Sequence, residues 1–166
     1  LVPLANFTVV GFLAKTESPT VAPAPGTDAV GELGSYVNAT WLDSTWRIYG
    51  EYLDVDDGFN PEVGFLPRRG ITTTKIHFER NPRPDRWGIR VLSPMINWTY
   101  TTDQTGRRLA QRWHYMLGTR FDNGAYLNVL YNEHFDRLDD DFALNGVVIP
   151  GGDYTFNEWR LSFDSN

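Results

Sequence analysis

The sequence predicts an all-β protein, an antiparallel up-and-down sheet of about eight strands in the form of an open or incomplete barrel. Three observations predict this fold class. Strand-like segments recur along the 166-residue chain, turn-forming residues separate them, and apolar side chains alternate with polar ones within several of them. The length suits a single barrel-like domain that spans residues 1–166.

Eight predicted strands follow one another along the chain, and no convincing helix interrupts them. The fifth strand is expected to break at Ser93-Pro94, because proline cannot donate a ladder hydrogen bond. Two tight hairpins are the firmest local predictions, one with Asp43-Ser44 as its loop and one at Asn123-Gly124, a pair typical of left-handed turn residues. The predicted strands are 6–16, 35–42, 45–55, 71–80, 87–103, 107–120, 124–135 and 154–164.

Three longer segments without strand character separate these strands. They are a proline-rich loop at residues 18–34, a segment at 56–70 and a segment at 138–153. Long loops and tight turns therefore alternate, as they do in barrels with long loops on one rim and short turns on the other. The proline-rich loop and the broken fifth strand favour an open barrel over a closed one.

Several of the predicted strands have one apolar and one polar side. In the sixth strand, for example, Trp113 and Tyr115 alternate with Arg112 and His114. The polar side suits either a barrel lumen or a solvated sheet face, and alternation does not separate the two. The aromatic side needs a cover of lipid, a second sheet or a partner.

Composition narrows the classes of protein to which the chain can belong. A formal net charge of −6 argues against nucleic-acid binding, because phosphate affinity comes from clustered cations. The absence of cysteine excludes disulfides and thiolate metal sites. The longest apolar run, residues 7–14, is far shorter than the roughly 20 residues of a membrane-spanning helix. Arginine outnumbers lysine thirteen to two, which favours fixed pairing with carboxylates.

Residues 57–70 carry the sequence DGFNPEVGFLPRRG, and further characteristic runs lie at residues 11–16, 100–103, 146–150 and 154–160. With these runs the chain resembles part of a bacterial family, domain of unknown function 5916. Its members combine a carbohydrate-binding-like module with a long C-terminal region similar to an outer-membrane barrel. The resemblance implies a β-structure of the bacterial envelope, periplasmic or associated with the outer membrane, and brings no catalytic residues.

One cluster of oxygen-bearing side chains is a candidate calcium site, because calcium binds carboxylate and amide oxygens. Its spacing is not that of an EF-hand, and the competing interpretation is a turn whose side chains cap backbone groups and whose Glu62 pairs with Arg68 or Arg69. The cluster consists of Asp54, Asp56, Asp57, Asn60 and Glu62.

Other polar residues give weaker signals. A second acidic cluster, with the same two interpretations, contains Asp136, Asp139, Asp140 and Asp141. Three histidines, His77, His114 and His134, bind a metal only if their strands bring them together. Ser93 and Ser162 lack a nucleophile motif, and Glu51, Glu133 and Glu158 lack an identifiable partner at glycosidase spacing. We therefore predict no enzyme and no cofactor.

Three functions are compatible with the sequence. The first is a structural sheet subunit of the envelope that lies outside the membrane and holds membrane proteins, for instance those of an energy-converting or photosynthetic complex. Its predicted interface residues, aromatic as interface residues often are, are Trp98, Tyr100, Trp113, Tyr115 and Trp159. The second is a module that binds sugar or another small ligand, with Trp41, Trp46, Trp87 and Trp113 as stacking platforms. The third is a complete transmembrane barrel, and lipid contact is left open.

Overall fold

The computed structural model describes residues 6–16, 32–61, 68–144 and 146–165. Within these residues it forms ten strands. Eight long strands make one antiparallel sheet in the order β1-β2-β3-β4-β5-β6-β7-β10, and the two short ones form a separate hairpin. The strands are β1 (Phe7–Lys15), β2 (Leu33–Leu42), β3 (Trp46–Val55), β4 (Ile71–Arg80), β5 (Ile89–Asp103), β6 (Arg108–Phe121), β7 (Tyr126–Leu138), β8 (Phe142–Leu144), β9 (Val147–Ile149) and β10 (Gly152–Asp164).

The predicted fold class is confirmed. Each long strand pairs antiparallel with the one before it, and the sheet stays open, with β1 and β10 at its two edges. Connections β2–β3, β4–β5 and β6–β7 lie at one end of the strands, which we call the lower rim. Connections β1–β2, β3–β4, β5–β6 and β7–β10 lie at the upper rim. Most connections of the upper rim are long and those of the lower rim are shorter, although the β5–β6 turn is tight.

The predicted break in the fifth strand is wrong, because β5 runs without interruption through Ser93 and Pro94. Pairing of β5 with β4 ends at Met95, whereas pairing with β6 continues through Pro94, opposite Leu117. Pro94 therefore lies just beyond the last residue that needs a partner on β4. A proline is tolerated at such an edge position because no ladder bond is lost there.

Two of the predicted loops are shorter in the structure, because strands occupy part of them. The segment at 138–153 is not free of strands, since β7 extends to Leu138 and the hairpin β8–β9 lies within it. Strand β2 begins at Leu33, inside the predicted proline-rich loop of residues 18–34, whose residues 18–31 lie outside the described part of the chain. Propensity alone misses both, because short strands and strand ends are set by their partners.

Both predicted hairpins are confirmed, with different turn details. Asp43 N donates to Trp46 O (2.9 Å), so the loop between β2 and β3 is Ser44-Thr45, one residue later than predicted. The Asp43 carboxylate accepts from the backbone N–H groups of Thr45 and Trp46, and these bonds lower its pKa. In the β6–β7 turn only Gly124 has a positive φ, of 91°, and the Asn123 side chain accepts from Ala125 N.

The two sides of the sheet are unequally exposed. On the polar side His77 and Asn132 are 5% and 7% exposed, whereas Trp159 and Leu161 on the apolar side are 73% and 71% exposed. The side-chain amide of Asn97 on β5 donates to Tyr49 Oη on β3 (3.4 Å), across the intervening strand β4. Both observations indicate that the single sheet curves toward its polar side.

Candidate functional site

One row of side chains on the apolar side contains a residue from every strand of the sheet. Residues that pair directly in an antiparallel sheet point to the same side, so the register defines the row. All of its members are aromatic or aliphatic. This apolar row consists of Phe7, Trp41, Ile48, Phe78, Ile96, Tyr115, Tyr131 and Trp159, from β1 to β10.

The next row along the strands lies on the opposite side and is polar throughout. Each member is one residue away in the chain from a member of the apolar row. This polar row consists of Thr8, Thr40, Tyr49, His77, Asn97, His114, Asn132 and Glu158. The sheet therefore separates apolar from polar side chains completely at this level.

Hydrogen bonds and ring stacking connect much of the polar row. The ring of Tyr49 stacks on His77 with centroids 4.5 Å apart. Nδ1 of His114 donates to Oδ1 of Asn132 (2.5 Å), and Nδ2 of Asn132 donates to a carboxylate oxygen of Glu158 (2.9 Å). The Asn132 amide, followed by the Arg160 guanidinium, lowers the pKa of Glu158. These polar groups are satisfied by one another, as buried polar groups in proteins are.

Ring contacts join the five predicted interface residues on the apolar side. Tyr100 stacks on Trp98 (5.5 Å between centroids), Trp98 contacts Trp113 (5.8 Å), and Trp113 stacks on Tyr115 (6.0 Å). Tyr131, which was not among the predicted residues, connects Tyr115 to Trp159 at 6.1 and 4.5 Å. The alternation in β7 already placed Tyr131 on this side, but only the register shows that it bridges β6 and β10.

Two tyrosines of the apolar row, Tyr115 and Tyr131, have pKa values above the ordinary value of a tyrosine. Burial among the neighbouring side chains raises the pKa of Tyr115 and of Tyr131, and the negative charge of Glu133 raises both further. The hydroxyls therefore stay neutral at physiological pH. A neutral phenol is compatible with an apolar medium, whereas a phenolate is not.

An apolar recess of about 630 Å³ opens on the same side. Trp46 and Phe78 flank it on one side and Trp159 on the other, with Ile96 and Leu117 between them. Among the described residues of its lining only Arg80 is charged, and its guanidinium lies 5.1 Å from the Trp46 ring centroid. The recess offers aromatic surface and few hydrogen-bonding groups.

The apolar part of this side shifts along the strands from one edge of the sheet to the other. On β1 it runs from the apolar row toward the upper rim, through Phe7, Val9 and Leu13, and on β10 it runs toward the lower rim. Its residues on β10 are Trp159, Leu161 and Phe163, and the positions toward the upper rim, Asn157 and Thr155, are polar. The band shifts by about five residues along the strands as it crosses the sheet. With the usual rise per residue and the usual distance between neighbouring strands, this shift means that the strands are tilted by about 30° from the perpendicular to the band.

The candidate calcium residues have other partners in the structure. Asp54 accepts from the Thr72 hydroxyl (2.6 Å) and from the Gln104 amide (3.2 Å), and Asp56 accepts from Leu33 N (2.9 Å). Asp57 lies against Gly70, while the backbone N–H of Asn60 donates to Thr16. Glu62 lies outside the described residues, so the five-residue calcium prediction stays a prediction. In the part of the chain that the structure describes, no three His, Cys, Asp or Glu side chains could hold a metal ion.

The remaining predicted polar residues are spread over the polar side and the upper rim. His77 and His114 lie in the polar row with Asn97 between them, and the ring of His134 stacks on Phe156. In the second acidic cluster, Asp139 pairs with Arg107 (2.9 Å) and Asp141 accepts from Gly151 N.

No helix among the described residues is long and apolar enough to cross a membrane. Comparison with known proteins finds no family model, no curated protein and no solved structure that matches the chain. The two faces of the sheet are therefore the features from which a function is inferred.

Proposed function

We propose that the chain is a non-catalytic structural sheet of the bacterial envelope, whose apolar side lies against membrane lipid as part of a barrel wall. The single observation that carries the proposal is the oblique apolar band that crosses all eight strands. In membrane barrels the strands tilt by about 35–45°, so a bilayer covers a band that shifts from strand to strand. The band of this sheet shifts in that way.

Lipid explains the extent of the band better than a protein partner does. A protein interface has an apolar centre and a polar rim of limited area, and it has no reason to follow the strand tilt across a whole sheet. The band continues from Phe7 on one edge to Phe163 near the other. Our proposal thus differs from the expectation of a subunit outside the membrane that holds membrane proteins.

The polar side supports the same proposal. Barrel walls alternate between lipid-facing apolar residues and lumen-facing polar ones. His77 and Asn132 are buried on the side toward which the sheet curves, where other strands would enclose a lumen. The edge strands β1 and β10 each have a neighbour in the described sheet on one side only, so further antiparallel strands can pair with both of them.

A sugar-binding module is a second candidate because of the recess between Trp46 and Trp159. Sugar sites combine aromatic platforms with hydrogen-bonding groups, and this lining is almost entirely apolar. A glycan array that shows binding abolished by Trp46→Ala would favour this candidate. Absence of binding would leave the lipid-facing sheet.

Two arginine substitutions on one strand test the proposal. Leu161 and Thr155 lie on the apolar side of β10, both exposed, but only Leu161 lies within the oblique band. An arginine at the middle of a lipid face costs about 2–4 kcal/mol. We expect Leu161→Arg to abolish recovery of the protein with membranes and flotation with phosphatidylcholine vesicles, and Thr155→Arg to leave both unchanged.

The same experiment first measures whether the wild-type protein associates with membranes. We expect it to sediment with membranes and to require detergent for extraction. A wild-type protein that stays monomeric in plain buffer without detergent contradicts the proposal. So does equal loss of flotation in the two arginine variants, because the band would then have no special role.

A further inference from the structure

The β4–β5 connection at the lower rim ends in a strained turn. In residues 86–89, Ile89 N donates to Arg86 O (3.0 Å), and Trp87 and Gly88 both have positive φ angles, of 57° and 67°. Asp122 N of the neighbouring turn donates to Gly88 O (2.9 Å) and fixes the turn in place. Glycine adopts this conformation freely, but a bulky residue such as tryptophan does so only under strain.

The residue at this strained position, Trp87, has an exposed aromatic side chain. Trp87 is 85% exposed, more than any other large apolar residue of the described chain. A strained position that does not serve packing indicates a functional role. An indole also has the amphipathic character that concentrates tryptophan at the boundary between lipid and water.

Three arginines surround this turn without ion pairs. Arg83, Arg86 and Arg90 are exposed, and none of them forms a salt bridge with a carboxylate in the described parts of the chain. Arg83 and Arg90 line a polar pocket that also contains Asp85 and Asp122. These guanidinium groups are therefore available to an external anion.

Two arginines of the upper rim, Arg107 and Arg137, behave differently. Arg107 pairs with Asp103 and Asp139, each at 2.9 Å, and Arg137 pairs with Asp153 through two hydrogen bonds. Arg107 and Arg137 are thus held by carboxylates within the protein, whereas Arg83, Arg86 and Arg90 beside the Trp87 turn form no such pair among the described residues. The three exposed guanidinium groups at this turn point to an anionic surface at the lower rim.

We infer that the Trp87 turn is an interfacial anchor, with the indole among lipid headgroups and Arg83, Arg86 and Arg90 on the phosphates of anionic lipids. The inference rests on the proposed lipid-facing function of the sheet and adds the lipid class and the rim that it contacts. The turn lies at the lower end of β5, just below Pro94 and Ile96 of the apolar side. An interfacial residue belongs at that boundary.

Vesicle flotation tests the arginines. The probes are vesicles of phosphatidylcholine alone and vesicles that also contain phosphatidylglycerol, at low salt. We expect the wild-type protein to prefer the anionic vesicles and each Arg→Gln substitution at 83, 86 or 90 to weaken that preference about fivefold. The matched control is Arg137→Gln at the upper rim, with the preference unchanged. High salt removes the preference in the wild-type protein.

Fluorescence quenching tests the position of the indole. Lipids brominated near the top of the acyl chain or near its end are compared for the wild-type protein and Trp87→Phe, and the difference isolates the signal of Trp87. We expect that signal to be quenched by the shallow bromine and not by the deep one. Trp98→Phe is the control, because Trp98 lies within the oblique band on β5, between Ile96 and Tyr100, and is expected to respond to the deeper bromine.

The outcomes separate this inference from the proposed function. If the wild-type protein binds neither kind of vesicle, the lipid-facing sheet itself is refuted. If it binds both equally, or if the Arg→Gln variants keep the preference, the sheet stands and the anionic-lipid anchor is refuted. Quenching of Trp87 only by the deep bromine, or by neither, likewise overturns the anchor.

Discussion

Tyr131 and Asn132 are consecutive residues of β7 that lie in opposite environments. The ring of Tyr131 contacts Trp159 on the apolar side (4.5 Å between centroids), whereas Asn132 is 7% exposed on the polar side. The amide of Asn132 links His114 to Glu158 there. This arrangement makes the two faces separately testable.

Truncation of Asn132 is expected to destabilise the sheet. Asn132→Ala leaves His114 without its acceptor and Glu158 without one of its donors, and an unsatisfied buried polar group costs about 1–3 kcal/mol. Chemical unfolding followed by tryptophan fluorescence measures the loss. Asn157→Ala on the exposed apolar side is the control and should change stability by less than about 0.5 kcal/mol. Equal effects of the two variants would show that the polar row does not stabilise the fold.

Acidification is expected to weaken the same polar row through Glu158. The pKa of Glu158 in the folded protein is below its ordinary value of 4.5 because Asn132, and then Arg160, bind the carboxylate. A lowered pKa means that the carboxylate stabilises the fold fully above the ordinary value, and that this stabilisation is lost as the pH falls through the folded-state pKa. Stability should therefore decline below about pH 4.5.

Glu158→Gln separates this contribution from general acid unfolding. Glutamine keeps an acceptor for Asn132 but cannot be protonated in this range, so melting temperatures measured between about pH 6 and pH 3 should fall less steeply than in the wild type. Asp164→Asn, at the end of the same strand, controls for the loss of one negative charge. A pH profile of Glu158→Gln that parallels the wild type would contradict the prediction.

Alternation along the strands predicted the two faces correctly, because side-chain direction on a strand depends on residue parity alone. It places Trp113 and Tyr115 on one side of β6, where their rings stack. The role of Tyr131 was not predictable in this way. Which residues meet across strands depends on register, and the register of β7 against β10 is set by contacts that a single sequence does not contain.

The oblique band was unpredictable for the same reason. Phe7 and Trp159 are far apart in the chain, and only the cumulative pairing of eight strands places them in one row. The continuity of β5 through Pro94 also depends on a neighbour, since β4 stops pairing at Met95. Local propensity predicts a break at Pro94 because it contains no information on where the adjacent strand ends.

Relief of the strained turn is expected to stabilise the fold. Asparagine tolerates a positive φ better than tryptophan, so Trp87→Asn should raise the free energy of unfolding by about 1 kcal/mol. Trp87→Ala also removes the ring but keeps a side chain poorly suited to this conformation, so it should give little gain. Thermal unfolding of the three proteins measures the difference. If both variants melt like the wild type, the turn stores no strain.

The close approach of β1 to β2 gives a last prediction, which concerns the edge of the sheet. A Cβ atom at Gly11 would lie 2.9 Å from the Tyr36 carbonyl oxygen, which is backbone and cannot rotate away. Gly50 on β3 lies on the same side of the sheet as Gly11, and a Cβ atom at Gly50 would have no atom within 4 Å. The same substitution, glycine to alanine, therefore meets a backbone atom at Gly11 and open space at Gly50.

Gly11→Ala is therefore expected to push β1 away from β2 and to cost about 1–3 kcal/mol, whereas Gly50→Ala should be neutral or stabilising because alanine loses less backbone entropy on folding. Hydrogen exchange of the β1 amides shows where the cost falls, with faster exchange confined to β1 and its partner strand. Since the apolar band begins on β1 at Phe7, loosening this strand should also reduce recovery with membranes. Unchanged exchange in Gly11→Ala would mean that the edge strand accommodates the methyl group, and that its register against β2 is not held by this contact.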